Sequence, residues 1–224
     1  MTFADRVLIF YKELAIRGKL PKGVEVLNPY QDEIAFDLCR QFYKKYYDDD
    51  KTRTVILGIN PGRFGGGITG IPFTDPIKLE KICGITNDLQ KKAELSADFI
   101  YAMIDAYGGM KKFYGKFFFS SVSPLGFTLD GKNANYYDTA ELSAALEKFI
   151  VKSIGQILET GVQRKTAFCL GEGTNFKYLE KLNAREKFFD TIVPLSHPRF
   201  IMQYKRRYVN DYVNDYLRKL GNAG

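Results

Sequence analysis

Apolar residues recur at helical spacing near the N-terminus, at Phe3, Val7, Tyr11 and Leu14 and again at Ile34, Leu38, Phe42 and Tyr46. Side chains three and four positions apart share one face of a helix, so each set predicts an amphipathic helix. The second set closes on Asp48, Asp49 and Asp50. The pattern then changes. Thr54–Ile59 is a short β-branched apolar run, the pattern of a strand buried on both faces. Phe117–Val122, Thr166–Leu170 and Thr191–Leu195 repeat it. Helical stretches lie between them. Asp138 is placed as the N-cap of one, with Glu141 three residues on and Leu142, Leu146, Phe149 and Ile150 carrying its apolar face. Tyr208, Tyr212, Tyr216, Val209, Val213 and Leu217 give the last helix a single apolar-aromatic stripe, read as core packing.

Strands alternating with helices predict an α/β fold, here a four-stranded parallel sheet flanked by helices on both faces. One domain is expected over residues 1–224, with an N-terminal helical region of about residues 1–50. Such sheets bind ligands beyond the carboxyl ends of their strands, so the residues just after each strand are the candidates for function.

Composition narrows the partners. Hydrophobic residues make up 45% and charged residues 26%, ordinary for a globular chain and unlike a disordered or collagen-like one. Cys39, Cys83 and Cys169 are far apart and odd in number, with no Cys-x-x-Cys, which argues against a structural zinc or a cysteine-held cluster. No metal and no cofactor are expected. No basic-then-apolar leader opens the chain and no apolar run approaches the ~18 residues that cross a bilayer, so a cytoplasmic protein without a membrane partner is expected. The net charge of +7 and a pI near 9.1 favour a polyanionic partner. Basic residues concentrate at Arg199, Lys205, Arg206, Arg207, Arg218 and Lys219.

Two strand ends stand out. After the first comes Gly58-Ile59-Asn60-Pro61-Gly62-Arg63-Phe64-Gly65-Gly66-Gly67-Ile68-Thr69-Gly70-Ile71-Pro72-Phe73. Its glycines and prolines make a close-approach loop. It is no Walker A loop, because no Gly-Lys-Ser/Thr follows, and it is too long and Pro-interrupted for a dinucleotide fingerprint. By composition alone, glycines at a strand end are more often a structural turn than a binding loop. After the fourth strand comes Ser196-His197-Pro198-Arg199-Phe200, with the only histidine of the chain.

These segments carry a resemblance. Asn60-Pro61-Gly62-x-Phe64-Gly65 followed by Thr69-Gly70-x-Pro72-Phe73 resembles the first motif of the single-strand-selective monofunctional uracil-DNA glycosylases. His197-Pro198-Arg199 resembles the second motif of the uracil-DNA glycosylase superfamily, and Ser123-Pro124-Leu125 with Gly131-Lys132-Asn133 resembles the segment between. The likeness runs from about Val55 to Arg207. Two departures accompany it. Ser121 stands where the family carries an Asn that reads the uracil edge, and the family's His-Pro-Ser-Pro-Arg loop is shortened to His197-Pro198-Arg199.

The resemblance implies removal of uracil, or another damaged pyrimidine, from DNA by a monomeric enzyme. It assigns Asn60 to orienting water and His197, neutral, to stabilising the departing base. A donor aimed at developing negative charge in this way is worth roughly 3–4 kcal/mol. Phe73 matches the position that stacks on the extruded base, and Gly62 the position beside C5 of the pyrimidine, where a glycine leaves room for a 5-substituent. Gly58, Ile59, Phe64, Ser121, Ser123 and Asn133 complete the expected substrate site. Arg199, Lys205, Arg206 and Arg207 are expected on phosphates, and Phe200 with Ile201 and Met202 as apolar wedges in the duplex. No lysine lies in either motif, so Schiff-base strand nicking is not expected. Two other readings stand beside this one: a damage-recognising DNA-binding module of weak activity, motivated by Ser121, and an unrelated phosphate-binding α/β enzyme using the glycine loop or Gly171-Glu172-Gly173-Thr174.

Overall fold

The computed structural model describes residues 1–221; the last three positions of the expected 1–224 unit lie outside the described residues. Seven strands form two sheets. β2 (Thr54–Gly58), β3 (Phe117–Ser121), β6 (Thr166–Leu170) and β7 (Thr191–Leu195) make a parallel sheet in the order β3-β2-β6-β7. β1 (Val24–Leu27), β4 (Gly126–Leu129) and β5 (Lys132–Ala134) make a small antiparallel sheet in the order β1-β4-β5. The helices are α1 (Phe3–Lys12), α2 (Glu33–Tyr47), α3 (Gly66–Thr69), α4 (Pro76–Lys81), α5 (Leu95–Ala106), α6 (Met110–Tyr114), α7 (Ala140–Glu159), α8 (Thr174–Glu186), α9 (Pro198–Tyr204) and α10 (Val209–Gly221). They pack around the parallel sheet, as the alternation predicts.

The apolar runs form the parallel strands because both faces are covered, for β2 at the centre of the sheet and also for β3 at one edge. Every residue of β2 and β3 is buried. Their register pairs Gly58 with Ser121, so both chains end at the same level. β7 is an edge strand, only partly buried, and therefore tolerates Pro194, whose missing N–H costs no ladder bond on an open side.

Thr2 caps α1 in a capping box with Asp5. α1 and α2 bury an aromatic cluster of Phe3, Tyr11, Phe42, Tyr43 and Tyr47 against Phe118 of β3. Arg53 is wholly buried within it. Its guanidinium lies 4.6 Å from the Phe3 ring centre and 4.8 Å from that of Tyr47, and it donates to Tyr114 O, Lys51 O and Asp49. This cation serves the core, not a nucleic acid.

Several expectations need correction. Residues 24–27, inside the region read as helical, form β1, whose partners lie on β4. In α2 the buried face is set by Ala35, Leu38, Cys39 and Phe42, while Ile34 is 65% exposed. The N-cap of α7 is Thr139, whose side chain accepts from Leu142 N; Asp138 instead accepts from Asn135 N in the preceding turn. In α10 the buried residues are Val213, Tyr216 and Leu220, flanked by Val209, Tyr212 and Leu217, and Tyr208 is exposed in the turn before the helix. Among the described residues no helix is long and apolar enough to cross a membrane.

Candidate active site

The carboxyl ends of β2, β3 and β7 open onto a pocket of about 490 Å³. Ile59, Asn60, Pro61 and Gly62 enter it from β2, Ser121 from β3, and His197, Arg199, Phe200, Gln203 and Tyr204 from the end of β7 and α9. Asn133 and Ala134 of β5 close one side, and Pro72, Phe73 and Glu94 another. The small antiparallel sheet thus supplies part of the wall.

Asn60 is fixed by three backbone groups. Its Nδ2 donates to Ala134 O (3.1 Å) and Pro61 O (3.2 Å), and its Oδ1 accepts from Tyr136 N (3.0 Å). Tyr136 is held in turn, its hydroxyl donating to Asn175 Oδ1 at 2.8 Å, and Asn175 Nδ2 donates to Leu170 O at the end of β6. An amide oxygen has two lone pairs. One is used here, and the second is free to accept from a water in the pocket.

His197 is the N-cap of α9. Its Nδ1 accepts from Arg199 N at 3.2 Å, which places the ring proton on Nε2. Burial, and then the Arg199 charge, push its pKa down to about 4. The ring is therefore neutral at ordinary pH. Tyr216 donates its hydroxyl proton to Ser196 O, and Ser196 Oγ donates to Glu172 Oε2 at 2.8 Å, fixing the residue before the histidine.

Phe73 has φ of +55°, a left-handed conformation that costs a non-glycine residue of this size about 1–3 kcal/mol. Thr69 holds the turn that imposes it, its Oγ1 donating to Thr74 O at 2.7 Å and accepting from Ile71 N at 3.2 Å. The Phe73 ring meets Phe119 edge-on at 5.3 Å. A methyl group on Gly58 would lie 3.0 Å from Phe73 Cζ, so the glycine admits the ring. Gly62 differs. A methyl group there would meet only Asn133 at 3.5 Å, an ordinary contact, so neither backbone nor packing requires that glycine.

Ser121 Oγ lines the pocket and makes no hydrogen bond to another described residue. Asn133 Oδ1 accepts from Arg63 N at 3.0 Å, tying β5 to the glycine loop. Other expected residues lie elsewhere. Ser123 is wholly buried and donates to Leu125 O. Phe64 lies outside the pocket, between Arg63 and Lys92, whose charged groups are 5.0 Å and 3.6 Å from its ring centre. Lys205, Arg206 and Arg207 follow α9 on the surface without lining the pocket. Ile201 is fully buried and Met202 packs against the core, so neither is a wedge. The exposed apolar pair is Phe200 with Tyr204, ring centres 5.7 Å apart. Gly171-Glu172-Gly173-Thr174 does not line the pocket; it opens α8 and supplies Glu172 to Ser196.

The sequence pattern missed Glu94, Ser96, Asn135, Gln203 and Tyr204. Tyr204 was findable, four residues after Phe200 on one helix face. Glu94 gave no signal. Its Oε2 is shut off from solvent and has no hydrogen-bond partner. Burial, then the charge of Asp75, push its pKa up to about 7, with Arg199 opposing.

The ends of the parallel strands thus gather a fixed amide, a neutral imidazole and an aromatic ring on strained backbone around one pocket. The sequence profile of the Uracil DNA glycosylase superfamily matches residues 44–221, and the chain belongs to that family. The fold and family make it a DNA glycosylase, a hydrolase acting on DNA. It is similar to SMUG2 of Pedobacter heparinus, whose wild-type crystal structure shares 47% sequence identity over 100% of both chains with a TM-score of 0.96. No curated protein matches it.

Proposed function

We propose that the protein extrudes uracil, and 5-substituted uracils, from DNA and hydrolyses the N-glycosidic bond without cutting the strand. The observation that carries this reading is the pairing of a neutral His197 with a locked Asn60 in one pocket at the strand ends.

Breaking the bond builds positive charge on the sugar and negative charge on the departing base. His197 Nε2–H donates to a carbonyl oxygen of the base as that charge grows. A neutral donor suits the task, because it stabilises the anion without handing over its own proton to every bound base. The free lone pair of Asn60 Oδ1 accepts from a water and turns the water oxygen toward the sugar. Asn60 is no strong base, so most of the barrier falls through the leaving group. Phe73, held in its strained turn, gives the base a preorganised stacking face. Extrusion costs a few kcal/mol, least for a mispaired or unpaired base, which protects normal pairs. Among the described residues no lysine lines the pocket, which supports hydrolysis over Schiff-base chemistry. The fixed orientation of Asn60 and of His197 in one pocket supports hydrolysis over the catalytically silent alternative.

The test is alkali-dependent cleavage of a labelled oligonucleotide carrying one uracil. Alkali-labile product, with no nicking before alkali, is the expected result. Intact oligonucleotide at enzyme excess would overturn the assignment.

A further inference from the structure

We infer that Glu94 is a further substrate-contacting residue, donating a hydrogen bond from its protonated carboxyl to a carbonyl oxygen of the extruded base. This rests on the glycosylase reading above.

The first ground is a buried group without a partner. Glu94 lines the pocket, with Oε2 closed off against Gly65 and Oε1 left as the oxygen open to a bound base, and its carboxyl makes no hydrogen bond or ion pair with another described residue. A buried polar oxygen left without a partner is costly to the fold. The fold makes no structural use of the carboxyl in exchange. Glu94 occupies the N-cap position of α5, yet its side chain caps nothing. Its backbone N–H goes to Asp75 Oδ2 at 3.0 Å, so the segment is anchored by the main chain.

The second ground is that the glycine loop is shaped around it. A methyl group on Gly65 would lie 1.9 Å from Glu94 Oε2, and Gly65 has φ of +65°. The carboxyl occupies the space that a side chain there would fill. It sits against the loop that carries Asn60 and Gly62, on the pocket wall formed with Phe73.

The third ground is chemical complementarity. Uracil presents more than one carbonyl. His197 supplies a single N–H, and Ser121 offers one hydroxyl where a two-point amide would otherwise read the edge. A protonated carboxyl adds a second strong donor. A carboxylate would instead set lone pairs against the carbonyl and repel it. The charged and titratable groups around Glu94 favour the proton: Asp75 adds negative charge, and His197 is uncharged. Arg199 alone opposes. A DNA phosphate on Arg199 cancels that opposition when substrate is bound.

The experiment measures single-turnover rates on a uracil oligonucleotide from pH 6 to 9 for wild type, Glu94→Gln and Glu94→Ala. The wild-type rate is expected to fall by about tenfold per pH unit above neutrality. Glu94→Gln keeps an N–H donor and cannot titrate, so its profile flattens and its rate exceeds wild type at pH 9. Glu94→Ala loses at least tenfold at pH 6 with a flat profile. Matching profiles for wild type and Glu94→Gln overturn the inference, as does a flat wild-type profile, and these two proteins decide it even where Glu94→Ala does not fold. Equal weakening of uracil-containing and undamaged DNA binding in Glu94→Ala also overturns it, in favour of a backbone contact. Absence of uracil release by wild type at every pH overturns the proposed function and the base contact with it.

Discussion

His197 Nδ1 accepts a hydrogen bond from the Arg199 backbone N–H at 3.2 Å, in the first turn of α9. That contact selects the tautomer, leaves Nε2–H as the ring's donor and couples the imidazole to the residue proposed for phosphate. The Arg199 guanidinium then helps to keep the ring neutral.

The proton balance of this histidine gives a first prediction. Its pKa in the fold is about 4, below the ordinary 6.5. Between those values the unfolded chain binds a proton that the folded chain does not, so stability falls as pH drops from 6.5 toward 4. Activity should hold across that window, because the donor stays neutral until about pH 4. His197→Ala and Asn60→Ala should each lower the single-turnover rate by about 10²–10³-fold, with DNA affinity nearly unchanged. His197→Asn should also lose part of the acid sensitivity of the thermal midpoint. Wild-type rates that collapse near pH 6.5 would show an ordinary, exposed imidazole.

The strands of the parallel sheet were legible because β2, β3 and β6 are short runs buried on both faces, which leave no polar alternation to confuse with a helix, and the partly buried β7 carries the same kind of apolar run. Asn60 and His197 were legible because they follow those strands. The antiparallel sheet was not, since β1, β4 and β5 are three or four residues long with mixed burial, too short for a period to show. The grip on Asn60 was equally invisible. It comes from the backbone of Ala134, Pro61 and Tyr136, and backbone groups have no signature in a sequence. Glu94 reaches the pocket through a loop between α4 and α5, where nothing periodic marks a charged residue as inward-facing.

Gly62 tests base selectivity. The structure gives no conformational or packing need for a glycine there, so the missing side chain is free to serve the substrate. Gly62→Tyr should fold and should suppress release of 5-hydroxymethyluracil more than release of uracil, by about tenfold or more, the scale at which a pocket rejects an added group. Matched single-turnover rates measure the ratio. Equal loss on both substrates would mean that the ring blocks the whole pocket and that Gly62 does not face C5.

Arg206 and Arg207 are exposed and make no ion pair among the described residues. Charge removal at each should weaken binding to undamaged DNA and flatten the dependence of log affinity on log salt by about one unit for each phosphate no longer neutralised. Cleavage rates at saturating enzyme should change little, since neither residue lines the pocket. A titration with an unaltered salt slope would assign both to a solvated surface.

Phe200 and Tyr204 are the last prediction. They are 43% and 66% exposed, stand one helical turn apart at the rim of the pocket and touch each other rather than the core. Large apolar surface left open beside a pocket for a base is suited to filling the gap that the base leaves in the stack. That task exists only in a duplex. Phe200→Ala and Tyr204→Ala should therefore slow uracil release from double-stranded DNA by about tenfold or more, the few kcal/mol of unstacking being poorly compensated. Release from single-stranded DNA should be nearly unaffected. Because both side chains are exposed, neither change should move the thermal midpoint by more than the ±0.5 kcal/mol expected of surface substitutions. Equal loss on the two substrates would instead place these rings against the base itself, as part of the pocket wall.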